Sequence, residues 1–135
     1  MPRSHIADSS ALVALLSKGD EHHDWMAAQA DVLPWPWLTC EAALTEAFHL
    51  LGGRGSPKLK ELLRRKAIEP QFALGDQLSR VLALMDKYAD VPMSSTDACL
   101  VRMSEIVPEP VVITTDADFR VYRRFSRQIV PCLLP

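Results

Sequence analysis

Val111-Val112-Ile113-Thr114-Thr115-Asp116-Ala117-Asp118-Phe119 decides how this chain is read. Val111-Val112-Ile113 is the clearest strand signal in the sequence: an unbroken β-branched run with no polar alternation, as in strands buried on both faces. Thr114 and Thr115 end the run, and Asp116 stands where it gives way to a turn and a short helix. A similar order opens the chain. His5-Ile6-Ala7 is a short apolar strand, Asp8 closes it, and a helix-like segment follows at Ser9-Ser10.

The chain between these points alternates short strands with helices. Ser9 or Ser10 caps a helix that carries Leu12, Val13, Leu15 and Leu16 on one broad face. A second helix is expected over 21–30, with Trp25 and Met26 inward. Pro34-Trp35-Pro36 leads into a strand at 37–39, and Thr39 is placed to cap a helix over 41–51. Gly52-Gly53-Arg54-Gly55 ends that helix, and Ser56-Pro57 starts the next. A weak strand at 68–72 precedes a helix capped by Asp76, holding Leu78, Val81, Leu82 and Met85. Another begins at Ser94, Ser95 or Thr96, contains Asp97, and turns Leu100, Met103 and Ile106 inward. Residues 128–130 read as a final strand. Strands alternating with helices imply an α/β fold with parallel pairing through right-handed crossovers. Ligands bind such sheets at the carboxyl ends of the strands, where Asp8 and Asp116 both lie.

A chain of 135 residues with 48% hydrophobic and 24% charged content reads as one ordinary globular domain, 1–135. Its formal net charge of −2 gives no sign of a general polyanion binder. Sequestering four acids around a cation would leave the remainder slightly basic. Cys40, Cys99 and Cys132 are odd in number and lack metal-binding spacing, which disfavours disulfide frameworks and zinc sites and points to a reducing compartment. Asp8 interrupts the first apolar run too early for a signal core, and no segment approaches the ~20 apolar residues of a membrane span. The expectation is a cytoplasmic protein with no membrane association.

Four acids stand out: Asp8, Glu46, Asp97 and Asp116. Each has an ordinary explanation. Asp8 can cap a helix, although Ser9 and Ser10 already offer caps; Asp97 can favour a helix amino end; Asp116 can be a turn residue; Glu46 can face solvent. If the four meet in a partly dry cleft, their repulsion calls for a hard divalent cation, and phosphate chemistry follows.

The wording around these acids makes the reading specific. Ile6-Ala7-Asp8-Ser9-Ser10, Leu44-Thr45-Glu46-Ala47, Ser95-Thr96-Asp97-Ala98 and Thr114-Thr115-Asp116-Ala117-Asp118-Phe119 resemble, in order, the four acidic motifs of PIN domains. In size the chain looks most like the VapC toxins of toxin–antitoxin systems. The resemblance implies a three-layer α/β sandwich, a parallel sheet flanked by helices, and an Mg²⁺- or Mn²⁺-dependent endoribonuclease. It also implies an RNA substrate, a homodimer and a VapB-type antitoxin partner. Asp8 and Asp116 are expected to bind metal directly, Glu46 and Asp97 partly through water. Ser9, Thr114 and Asp118 are accessory candidates. Glu41 lies about 1.4 turns from Glu46 and so points elsewhere. Arg120, Arg123, Arg124 and Arg127 are placed to reach flanking phosphates, or else form a solvated face. An alternative is a catalytically idle PIN-like module that binds RNA or protein. A haloacid dehalogenase-like phosphatase would need a second aspartate where Ser10 stands.

Overall fold

The structure is a computed structural model that describes residues 2–135. Five short parallel strands form its centre: β1 (Ser4–Ala7), β2 (Trp37–Thr39), β3 (Ile68–Pro70), β4 (Pro110–Ile113) and β7 (Cys132–Leu133), in the order β3-β2-β1-β4-β7. β1 and β4 are adjacent and in register, Ile6 opposite Val112 and Ala7 opposite Ile113. Successive side chains of a strand leave on opposite faces, so these two pairs feed two separate cores. Ile6 and Val112 pack with Leu100, Met103, Phe119 and Tyr122, while Ala7 and Ile113 pack with Leu12, Met26, Trp37 and Leu59. Helices α1 (Ser9–Leu16), α2 (His23–Val32) and most of α3 (Glu41–Arg64) supply the second core. Helices α4 (Leu74–Lys87) and α5 (Ser95–Ile106) cover the first. The result is the parallel α/β fold that the alternation of strands and helices predicts, in the three-layer form that the resemblance implies.

Several local expectations are corrected. Thr39 does not cap α3: Cys40 stands at that position without a side-chain bond, and Thr39 Oγ1 donates to the Ala7 carbonyl at 2.8 Å, fastening β2 to β1. Helix α3 continues past residue 51 to Arg64, bent at Gly52, whose φ of 59° and ψ of −151° lie outside the helical range. Only glycine adopts that backbone without strain, so the glycine-rich stretch acts as a kink between two limbs. Ser56 therefore lies inside the helix instead of capping it, its hydroxyl donating to the Phe48 carbonyl at 3.5 Å. Ala73, not Asp76, precedes α4, and Asp76 falls in its first turn. Ile106 is exposed at the end of α5. Residues 128 and 129 form β6, which pairs antiparallel with β5 (Arg123–Arg124) outside the main sheet. The edge strand beside β4 is Cys132–Leu133 instead.

Candidate functional site

Asp8 is the pivot of the carboxyl edge. Its backbone N–H donates to Ile113 O at 3.0 Å, joining the ends of β1 and β4. Its extended backbone, φ −75° and ψ 158°, makes it the N-cap of α1, with Oδ1 accepting from Ser9 N–H at 2.7 Å. The expectation that Ser9 or Ser10 caps this helix is thereby corrected, because Asp8, the extended residue that follows β1, already occupies the cap. The two serine hydroxyls are free for longer-range bonds. Ser10 Oγ donates to Asp8 Oδ2 at 3.1 Å and accepts from Thr115 N–H at 3.0 Å. Thr114 Oγ1 donates to Asp8 Oδ2 at 2.7 Å and accepts from Asp116 N–H at 3.0 Å. Ser9 Oγ reaches across to Glu46 Oε1 at 2.9 Å.

The other acids gather around this pivot. Glu46, on α3, also accepts from Thr96 Oγ1 of α5 at 3.4 Å, so it is tied to helices on both faces of the sheet. Asp97 completes a capping box with Ser94 at the start of α5, and its Oδ2 accepts from Tyr122 Oη at 2.9 Å. Asp116 Oδ1 accepts from Asp118 N–H at 2.9 Å, opening the 3-10 turn Ala117–Arg120. The capping and turn roles of Asp97 and Asp116 are thus real, and they coexist with convergence on one edge.

The electrostatics carry the mark of that convergence. Asp8 is only 4% exposed. Burial raises its pKa to about 6, with a contribution from the Asp97 charge and against the opposing hydrogen bond from Thr114. Burial likewise raises the pKa of Asp97, opposed by the Tyr122 hydrogen bond and assisted by the Asp116 charge. These carboxylates are held close together with too little solvent to disperse their charge.

The remaining candidates separate. Asp118 is exposed beside Asp116, and Glu41 is exposed in the first turn of α3. Arg120 is exposed at the end of the 3-10 turn. Arg123 Nη1 donates to the carbonyls of Arg120, Val121 and Tyr122 at 2.7, 3.2 and 3.0 Å, so that side of its guanidinium folds the loop. Arg124 lines a cleft with Arg3 and Pro110 at the amino ends of β1 and β4, away from the acids. Arg127 is exposed in the loop before β6. Tyr122, Thr96 and Ser10 are members of the network that sequence reasoning does not assign to it. Tyr122 lies 25 residues from Asp97, and no local pattern links two residues so far apart.

A family model of the PIN domain matches residues 6–124. This chain belongs to the PIN domain family. Among solved structures it is similar to VapC20 of Mycobacterium tuberculosis, described as a sarcin–ricin loop cleaving toxin, with a TM-score of 0.74 and 20% sequence identity over 87% of this chain and 94% of that one. No curated protein matches it. The likeness establishes the fold. Among the described residues, no three His, Cys, Asp or Glu side chains close into a ready-made metal cage. The donor set nonetheless fits a hydrated hard cation: Mg²⁺ keeps several waters and takes one or two carboxylates directly, so spaced carboxylates around a buried, charge-strained aspartate suit it. No helix among the described residues is long and apolar enough to cross a membrane.

Proposed function

We propose that this PIN-domain protein is a VapC-type endoribonuclease that hydrolyses RNA phosphodiester bonds at the carboxyl edge of its sheet with Mg²⁺ or Mn²⁺. The observation that carries the reading is Asp8: buried, destabilised as an anion by burial and by Asp97, yet gripped by Ser10 and Thr114 in one orientation. A carboxylate fixed against its own electrostatic preference is the arrangement expected where a cation is to be received.

Asp8 and Asp116 would hold the ion directly, with Glu46 and Asp97 engaging its waters. Bound there, a divalent ion supplies an acidified water and neutralises charge on the phosphoryl oxygens. The chain's own residues do the rest. Thr114 links Asp8 to the Asp116 backbone, so the two carboxylates cannot drift independently. Ser9 and Thr96 orient Glu46, and Tyr122 orients Asp97. Asp118 and the exposed Arg120 border the same loop, where Arg120 can meet a flanking phosphate.

A protein partner, either a VapB-type antitoxin or a second copy, fits the outer face of α4. Leu74, Leu78 and Leu82 are 42%, 47% and 49% exposed at four-residue spacing, an apolar ridge that this chain leaves uncovered.

The test is cleavage of RNA by purified protein with and without a divalent ion. Asp8→Asn and Asp116→Asn are each expected to lower the rate on the order of 10²-fold or more, with folding retained. Full activity in both variants, or activity undiminished in chelator, would remove the assignment. The second reading, an idle RNA- or protein-binding module, draws on the structural duties of Asp97 and Asp116. It requires that calorimetric titration with Mn²⁺ give no heat dependent on Asp8.

A further inference from the structure

The geometry points to a second nucleic-acid contact: a cationic cleft between the end of α1 and the kink of α3, along the two helices that lead away from the acids, that receives one nucleotide of a bound RNA strand. The cavity has a volume of about 460 Å³, and its walls include Leu16, Lys18, Leu51, Gly53, Arg54 and Lys58. None of its lining residues is acidic. Lys18, Arg54 and Lys58 are exposed, and among the described residues none of them is in an ion pair. Three unpaired cations around one concavity with no counter-charge attract an anion.

Helix dipoles do not reverse this. The end of α1 contributes about half a negative charge, and the two limbs of α3 meet at Gly52 with opposite ends that roughly cancel. The three full positive charges dominate. The kink itself is built for the close approach. Gly52 adopts φ 59°, and a Cβ at Gly55 would come within 2.6 Å of the Leu51 side chain, so both glycines permit the kink after which Arg54 and Lys58 line the cleft.

The cleft holds more than an inorganic anion. Leu16 and Leu51 give it an apolar wall against which a base or ribose can lie, while the cations take the phosphate. Its position suits a strand already engaged at the acids. Ser9 and Glu46 belong to the acidic network, and at ~1.5 Å per residue Leu16 lies about 10 Å beyond Ser9 along α1 and Leu51 about 7.5 Å beyond Glu46 along α3. The inference rests on RNA being the substrate of the acidic site, yet its test does not require cleavage.

The experiment is fluorescence anisotropy of a labelled single-stranded RNA with the full chain in chelator, over a range of salt. The double variant Lys18→Ala/Lys58→Ala is expected to bind roughly tenfold more weakly and to lose about 1.4 from the slope of log affinity against log salt, two contacts at ~0.7 each. The control, Lys60→Ala/Arg64→Ala, removes the same charge from the same helix outside the cleft and is expected to change affinity less than about twofold. Equal losses in both variants, no loss in either, or no RNA binding by the unmodified chain overturns the proposal. So does saturable binding of polyglutamate in place of RNA, which would assign the cleft to an acidic protein segment. Intact differential binding with no metal-dependent cleavage would instead sink the nuclease reading and leave this contact standing.

Discussion

At the scale of single residues, the acids of this chain are held by hydroxyls more than by one another. Tyr122 shows the consequence. Its Oη donates to Asp97, and burial followed by that hydrogen bond raises its own pKa well above the ordinary tyrosine value, so it stays a donor across the working range. Tyr122→Phe keeps the packing against Tyr88 and Phe119 but removes the shorter of the two hydrogen bonds to Asp97 Oδ2, leaving only the one from Ser94 N–H at 3.4 Å. A hydrogen bond to a charged group is worth about 1.5–3 kcal/mol, and chemical denaturation should register a loss of that order. Because the lost bond favours the ionised form, the pKa of Asp97 rises further. The acid limb of the pH–rate profile should then move to higher pH, whereas a purely packing role for Tyr122 would leave the profile in place.

At the scale of elements, the kink of α3 carries its own expectation. Gly52→Ala places a Cβ at φ 59° and ψ −151°, a backbone region essentially reserved for glycine, which costs roughly 1–3 kcal/mol although the space around it is open. The melting temperature should fall while metal-dependent cleavage by folded protein persists, since Glu46 lies on the limb before the bend. Undiminished stability would mean that the bend relaxes at no cost. The same helix marks where sequence legibility ends. The glycines signal an interruption, but whether the chain stops or merely turns depends on Leu51, Gly55 and Leu59 packing under α1, which no local pattern contains. Strands β1, β2 and β4 are legible because buried parallel strands are short apolar runs, and β4 ends in its Thr-Asp turn as read. Strand β7 is two residues long and was not legible; the β-branched pair before it, Ile129-Val130, carries the end of β6 and then buried Val130. The meeting of the acids is foreshadowed by strand-end position and motif order. Of their hydroxyl partners only Ser9 and Thr114 are legible, from the motifs around Asp8 and Asp116; Thr96 adjoins Asp97 but bonds Glu46, 50 residues away, which no local pattern shows.

At the scale of the whole molecule, a formal charge of −2 hides a polar distribution: acids gathered at the carboxyl edge, unpaired cations around the cleft between α1 and the kink of α3. The acidic edge works against folding in the absence of an ion. A carboxyl whose pKa rises from 3.8 to about 6 on folding contributes stability in full below 3.8, and that contribution is lost as pH rises through about 6. For Asp8 the difference amounts to roughly 3 kcal/mol at ~1.4 kcal/mol per pH unit, and Asp97 acts in the same direction. Metal-free protein should therefore melt lower at about pH 7.5 than at about pH 5 on account of these groups. A divalent ion competes with the proton for the same oxygens, so its stabilisation should appear mainly above pH about 6. At a hundredfold excess over Kd the gain is about 2.7 kcal/mol, on the order of 10 °C in Tm for a chain of this length. Thermal melts in chelator and in saturating Mg²⁺ at the two pH values measure this directly, and Asp8→Asn should flatten both dependences. An ion effect equal at both pH values, or retained in Asp8→Asn, would place the ion somewhere other than the carboxyl edge of the sheet.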